Sequence, residues 1–272
     1  MPRIVIFTDL DGSLLDADTY SYDAAKDALA RIQEKAVALI LVSSKTRSEI
    51  EPLRFRLAHQ HPFVVENGGG LFIPKGYFPF PVEHSALRGE YQVVEIGAPY
   101  AALRLSLKEI SQSLGCKLVG FGDMSSDEIA RLTGLSPSEA LLAKQREYDE
   151  PFISQGSDLS WETLQEAAAA RSLHCTRGGR FYHLMGANDK GVASRILLNC
   201  YRRLADNEGQ PLVTIAVGDS LNDEPMLALA TYPVLVQRPD GTYDPDVRIP
   251  QLIRSPAAGP TGWNKAVLDL LQ

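Results

Sequence analysis

Cysteine is scarce. The three present in 272 residues, Cys116, Cys175 and Cys200, lie far apart with no metal-type spacing, and three cannot all pair within one chain. Reduced, structural thiols in a cytoplasmic compartment are expected. No apolar run approaches the roughly 20 residues of a membrane span, and no charged leader precedes an apolar segment at the N-terminus. The expectation is a soluble protein with no membrane partner. Basic charge is also short. Lys and Arg number 27 against 34 Asp and Glu, a formal charge of −7, and no run of five Lys or Arg occurs. A general nucleic-acid binder needs a basic face to displace counterions, so no nucleic-acid partner is expected. Internal repeats and low-complexity segments are lacking too. What remains is an ordinary globular composition, 44% apolar and 22% charged, with length for one large domain or two moderate ones.

The apolar residues are organised into short buried runs. "RIVIF", "AVALILVSS" and "PFVVENGGG" read as strands without polar alternation. Between them, "SYDAAKDALARIQEK" places Ala25, Ala28, Leu29 and Ile32 at helical spacing, and "SEIEPLRFRLAHQ" opens with Ser48 and Glu51 spaced as a capping box. Strand, helix, strand, helix, strand predicts an α/β fold built on a parallel sheet. The rhythm then changes. Residues 82–188 read as an α+β insertion between a first core part, 1–81, and a second, 189–272. Within it "YQVVEIG", "KLVGFG" and "YDEPFIS" read as strands, and "HCTRGGRFYHLMG" as a hairpin turning at its Gly pair. Ser136, Pro137 and Glu139 mark a helix start. After the insertion, "KGVASRILLNCYRRLA" reads as a helix and "VTIAVGDSLND" as a strand and loop. A loop-rich stretch then leads to a closing helix at "NKAVLDLL".

Four strand ends carry matched chemistry. Asp9 and Asp11 follow the first strand, Ser43 and Ser44 the second, Glu66 and Asn67 the third, and Asp219, Asn222 and Asp223 a later one. Open α/β sheets bind ligands outside the carboxyl ends of their strands. Each feature alone has an ordinary explanation, since acidic turns and turn serines are common. Together they gather carboxylates at one edge, which is tolerable where a hard cation such as Mg²⁺ sits between them. A carboxylate there can also act as a nucleophile toward phosphorus, with a second as acid and base. Lys190, at the start of a predicted helix, suits a phosphate, though lysine is also a common solvated residue at such a position.

The ordered set "DLDGS" (9–13), Ser43, Lys190 and "GDSLND" (218–223) resembles the four motifs of the haloacid dehalogenase superfamily of phosphatases. Motif I in that superfamily usually ends in Thr; here Ser13 keeps the hydroxyl. The resemblance implies a Rossmann-like core with an inserted α+β cap of the Cof type. It implies Asp9 as nucleophile and Mg²⁺ ligand, and Asp11 as acid/base and ligand through its carbonyl. Ser43 and Lys190 would hold the phosphoryl group, with Asp219 and Asp223 completing the metal site. Further stretches, among them "VVENGGGLFIP", "ARLTGLSPSEA", "GGRFYHLMG" and "GPTGW", resemble the mannosyl-3-phosphoglycerate phosphatase family over nearly the whole chain. That resemblance implies hydrolysis of 2-O-mannosyl-3-phosphoglycerate to mannosylglycerate, a compatible solute. The glucosyl conjugate, or another sugar phosphate cleaved by a phosphatase or moved by a phosphomutase, stays open. A substrate with both a phosphate and a carboxylate calls for a second cationic group. Arg146 and Arg180 are the cap candidates, His183 could add a donor, and Lys45 could reach from the core. Ser44, Glu66, Asn67 and Asn222 complete the expected substrate contacts.

Overall fold

The computed structural model describes residues 2–156, 160–177 and 181–272. The chain begins as expected, with β1 (Arg3–Thr8), α1 (Lys26–Glu34), β2 (Ala38–Val42), α2 (Arg47–Arg56) and β3 (Phe63–Val65). Then β4 (Gly70–Pro74), β5 (Ser85–Arg88) and β6 (Tyr91–Glu95) form antiparallel pairs, followed by α3 (Tyr100–Leu114) and β7 (Lys117–Gly120). Next come α4 (Ser126–Thr133), α5 (Pro137–Ala143), β8 (Asp149–Gln155), α6 (Trp161–Ala169), β9 (His174–Arg177) and β10 (Tyr182–Met185). The chain closes with α7 (Lys190–Glu208), β11 (Leu212–Gly218), α8 (Glu224–Leu227), β12 (Tyr232–Gln237), β13 (Ile253–Ala258) and α9 (Gly259–Leu270).

Among the described residues these strands form two sheets. The larger runs β13-β12-β11-β1-β2-β3-β4-β6-β5, and the smaller runs β7-β8-β10-β9. From β13 to β3 every pairing is parallel. The apolar strands are buried on both faces because helices cover both. Val5 and Phe7 of β1 pack with Leu197, Leu198 and Tyr201 of α7 on one side. Ile6 packs with Ala28, Ile32, Ile50 and Trp263 on the other. In the smaller sheet, Phe152, Cys175 and Leu184 pack on Leu103 and Leu107 of α3 and Leu164 of α6. On its other face Val119 and Ile153 pack with Ile129 of α4 and Ala140 of α5.

Several expectations need correction. β5 and β6 belong to the large sheet rather than to the insertion, because β6 pairs with β4 from Gly70↔Glu95 to Pro74↔Tyr91. We place the division instead at two linkers, 96–99 and 186–189, which run side by side: a Cβ on Gly186 would meet Ala98 N at 2.7 Å. The capping box of α2 is Thr46–Glu49, not Ser48–Glu51; the Thr46 hydroxyl accepts from Glu49 N and Glu49 Oε2 from Thr46 N. The final stretch is not all loop: it holds β13, and α9 starts at Gly259. The hairpin β9–β10 pairs as expected, while its glycine turn lies outside the described residues.

Candidate active site

β1, β2, β3 and β11 end at one edge of the large sheet, and the residue that follows each is Asp9, Ser43, Glu66 and Asp219. Asp9 continues the pairing, its N–H donating to Val217 C=O at 2.8 Å. Beneath it the buried Trp263 indole donates to the Thr8 hydroxyl at 2.9 Å, fixing the strand end from behind. Asp9, Asp219 and Asp223 each offer a carboxylate oxygen, all within 4.8 Å of one another. Between them stands Lys190, 1% exposed, with Nζ 2.6 Å from Asp9 Oδ1 and 2.6 Å from Asp223 Oδ1. The second oxygen of Asp223 accepts the N–H groups of Asp219 and Ser220, which folds the 219–223 loop around it. Gly12 permits the approach of Asp219: its φ is +79°, and a Cβ there would lie 2.9 Å from Asp219 Oδ2.

The electrostatics follow from burial. Desolvation drives the Asp9 carboxyl up; Lys190 pulls it back, but Asp223 and Asp219 repel its charge, and it stays well above the usual range. Burial and then Asp223 push Asp219 up to about 7. Burial opposes the charge on Lys190, yet Asp223 and Asp9 outweigh it and hold the ammonium above its ordinary range. Three carboxylates against this one ammonium make an all-oxygen donor set whose members resist joint ionisation. Such a set fits a hard divalent cation, held by Asp9 and Asp219 with Asp223 beside them.

A cavity of about 620 Å³ opens over this cluster. Asp9, Asp11, Lys45, Asn67, Asp219 and Asn222 line it from the core, and Phe121, Arg146, Thr176, Phe181 and His183 from the insertion. Asp11 Oδ2 lies 2.9 Å from Lys45 Nζ, which also approaches Glu49 at 3.8 Å and the Tyr20 ring at 4.6 Å. The expected site residues therefore converge, with three exceptions. Ser43 is buried behind the wall, its hydroxyl accepting from Lys45 N–H at 3.1 Å, and Ser44 lines the cavity in its place. Glu66 does not reach the cavity, because its carboxylate turns to the insertion and accepts the N–H groups of Glu147 and Tyr148 at 2.9 and 2.8 Å. Burial, against the pull of Arg146 and those N–H groups, pushes it up to about 8. Arg180 lies outside the described residues.

Arg146 is largely committed. Its Nη1 donates to Ser44 C=O at 2.8 Å, its Nε to Ala143 C=O at 3.0 Å, and Asp149 is 3.6 Å away. Sequence reasoning missed Asp149, hidden in a strand whose Asp-Glu start reads as solvated. It also missed Arg238 and Asp244, which line the cavity and pair at 2.7 Å. They sit in aperiodic loop, where only their charge could have marked them.

Sheet order and acidic edge together define a haloacid dehalogenase-type hydrolase with a Cof-type cap. The sequence pattern of haloacid dehalogenase-like hydrolases matches residues 6–76. A glucosyl-3-phosphoglycerate/mannosyl-3-phosphoglycerate phosphatase of Methanococcoides burtonii is 45% identical over 267 residues, 98% of this chain and 97% of the relative. A mannosyl-3-phosphoglycerate phosphatase of Pyrococcus horikoshii is 39% identical over 82% of this chain and 86% of its own. A solved sugar phosphatase of haloacid dehalogenase subclass IIB superposes with a TM-score of 0.63 over 98% of both chains, at 15% identity. The chain is a phosphatase that belongs to the haloacid dehalogenase superfamily, in the family of these curated relatives.

Proposed function

We propose that the chain is a Mg²⁺-dependent phosphomonoesterase that releases phosphate from a sugar conjugate of 3-phosphoglycerate, mannosyl or glucosyl. The observation that carries the mechanism is Lys190 buried between Asp9 and Asp223, with Asp9 in the wall of a cavity whose far side is lined by the cap. Asp9 is the nucleophile: its carboxylate oxygen attacks phosphorus, and the glycerate oxygen departs with a proton from Asp11. Asp11 then takes a proton from water, whose oxygen attacks the aspartyl-phosphate, freeing phosphate and restoring Asp9. Lys190 neutralises the attacking carboxylate and the phosphoryl oxygens. Mg²⁺, held by Asp9, Asp219 and the Asp11 carbonyl, would offset the charge on the transferring phosphoryl group. The names of the relatives support the sugar-phosphoglycerate assignment, and the first pairs both sugars. Lys45, Arg146 and His183 supply cap-side and core-side partners for the glycerate carboxylate and the sugar hydroxyls, and the cap excludes bulk water.

The test is phosphate release from mannosyl-, glucosyl- and unsubstituted 3-phosphoglycerate, with and without Mg²⁺. Release from at least one conjugate is expected, lost on chelation, and lowered about a thousandfold or more in Asp9→Asn with the circular dichroism spectrum retained. An active Asp9→Asn would remove the nucleophile; release only from the unsubstituted acid would remove the conjugate.

A further inference from the structure

We infer that Asp149 is a positioning residue for substrate recognition, setting the ring of His183 and the guanidinium of Arg146 relative to the acidic site. The inference rests on the phosphatase reading above and adds to it a residue that does not itself line the cavity.

Antiparallel register builds the arrangement. Asp149 pairs with Met185 and Pro151 with His183, while His183 pairs on its other side with Thr176. Paired residues share a face, and so do alternate residues along a strand. Asp149, Pro151, His183 and Thr176 therefore share the face opposite Phe152, Leu184 and Cys175, which fill the cap core. Pro151, His183 and Thr176 line the cavity. Asp149 lies diagonally behind His183, fully buried.

Its Oδ2 accepts from His183 Nδ1 at 2.8 Å and from Asn67 Nδ2 at 3.2 Å, and lies 3.6 Å from Arg146 Nη1. Its Oδ1 accepts no hydrogen bond among the described residues. A buried carboxylate with one bare oxygen is costly to keep, and a purely structural role would be served as well by an amide or an apolar residue. All three partners line the cavity. Asn67 in turn accepts from Asn222 Nδ2 at 3.3 Å, and Asn222 belongs to the loop that carries Asp219 and Asp223. A continuous chain of hydrogen bonds thus runs from the acidic loop, through Asn67 and Asp149, to the cap's His183.

The 2.8 Å contact between Nδ1 and the carboxylate oxygen favours a proton on Nδ1, and the tautomer with that proton has Nε2 as an acceptor. An acceptor at that position suits a sugar hydroxyl. The same carboxylate balances Arg146, whose Nη1 already reaches the core at Ser44.

The test compares KM for the sugar-phosphoglycerate conjugate that the wild type hydrolyses with KM for p-nitrophenyl phosphate, which has no sugar or glycerate to recognise. Asp149→Asn is expected to raise the first about tenfold or more, the scale of a lost charge-assisted hydrogen bond, and to raise it far more than the second. Combined with His183→Ala it should add less than it does in the wild type, the remainder being the share that passes through Arg146. Equal changes for both substrates, or fully multiplicative effects, would overturn the inference. Failure of the wild type to cleave any conjugate would instead remove the functional reading beneath it. Should Asp149→Asn not fold, nitrogen-15 spectra of the wild-type imidazoles, recorded with His183 neutral and assigned through His183→Ala, decide the matter. A proton on Nδ1 is expected, and one on Nε2 would overturn the inference.

Discussion

Glu66, at the end of β3, and Lys190, at the start of α7, are both buried ionisable side chains, and they behave oppositely. Lys190 keeps its charge because two carboxylates sit 2.6 Å away. Glu66 has two backbone N–H groups and a more distant Arg146, which is not enough, so its carboxyl rises from an ordinary 4.5 to about 8. Between those two pH values the folded chain holds a proton that the unfolded chain has released. The stability this contributes is complete below about pH 4.5 and is lost as pH rises toward 8. Glu66→Gln imitates the protonated form permanently. Melting temperatures of the two chains are expected to agree near pH 5, with the variant the more stable at pH 8.5. Asp219 and Glu150 titrate upward in the same window, so the difference between the curves, not the slope of either, is the measure. Parallel curves would show that Glu66 ionises normally.

The element most tightly constrained is the turn after β3. Glu66 and Asn67 have φ values of +49° and +53°, in the left-handed region that non-glycine residues seldom occupy. Asn188 Nδ2 helps fix them by donating to both of their carbonyls. Gly68 follows at φ +90°, where a Cβ would lie 2.0 Å from the Asp189 carbonyl oxygen. Gly115, which ends α3, has φ +61° with nothing within 4 Å of such a Cβ. Gly68→Ala is expected to cost about 3 kcal/mol or more, and Gly115→Ala about 1 kcal/mol, in urea unfolding. Equal losses would mean that the turn relaxes away from α7. These elements also divide what the sequence could and could not reveal. β1, β2, β3 and β11 were legible because each is an apolar run closed by a polar residue, and two of those closing residues, Asp9 and Asp219, belong to the acidic cluster. β13, "IRSPAA", was not: Pro256 donates no N–H and is tolerated only because the strand has one neighbour at the sheet edge. For α2, Thr46 and Ser48 each precede a glutamate by three residues, and spacing alone cannot choose between them. Asp149 was illegible because its meaning depends on register with β10, a pairing that local pattern does not encode.

At the scale of the whole molecule, core and cap meet through polar contacts. Arg146 reaches Ser44, the Thr46 hydroxyl donates to Leu142 C=O at 3.0 Å, and Ser48 donates to Gln145 at 2.8 Å. Beside them sits the acidic cluster, whose repulsion a divalent ion would relieve. Binding to the folded chain alone raises its stability by about 2.7 kcal/mol at a hundred times Kd. Millimolar Mg²⁺ is therefore expected to raise the melting temperature measured by calorimetry, and Asp219→Asn to abolish most of the rise. A rise undiminished in that variant would place the ion elsewhere.

The side-by-side linkers carry a consequence for ancestry. Among the described residues every strand of the large sheet lies outside residues 96–189, and the two linkers run side by side. The cap is thus a graft on a single stem, and a short loop joining the stumps would leave the catalytic layer unbroken. A different cap on that stem would present different side chains to Asp9, Lys190 and the 219–223 loop, all of which lie on the core side of it.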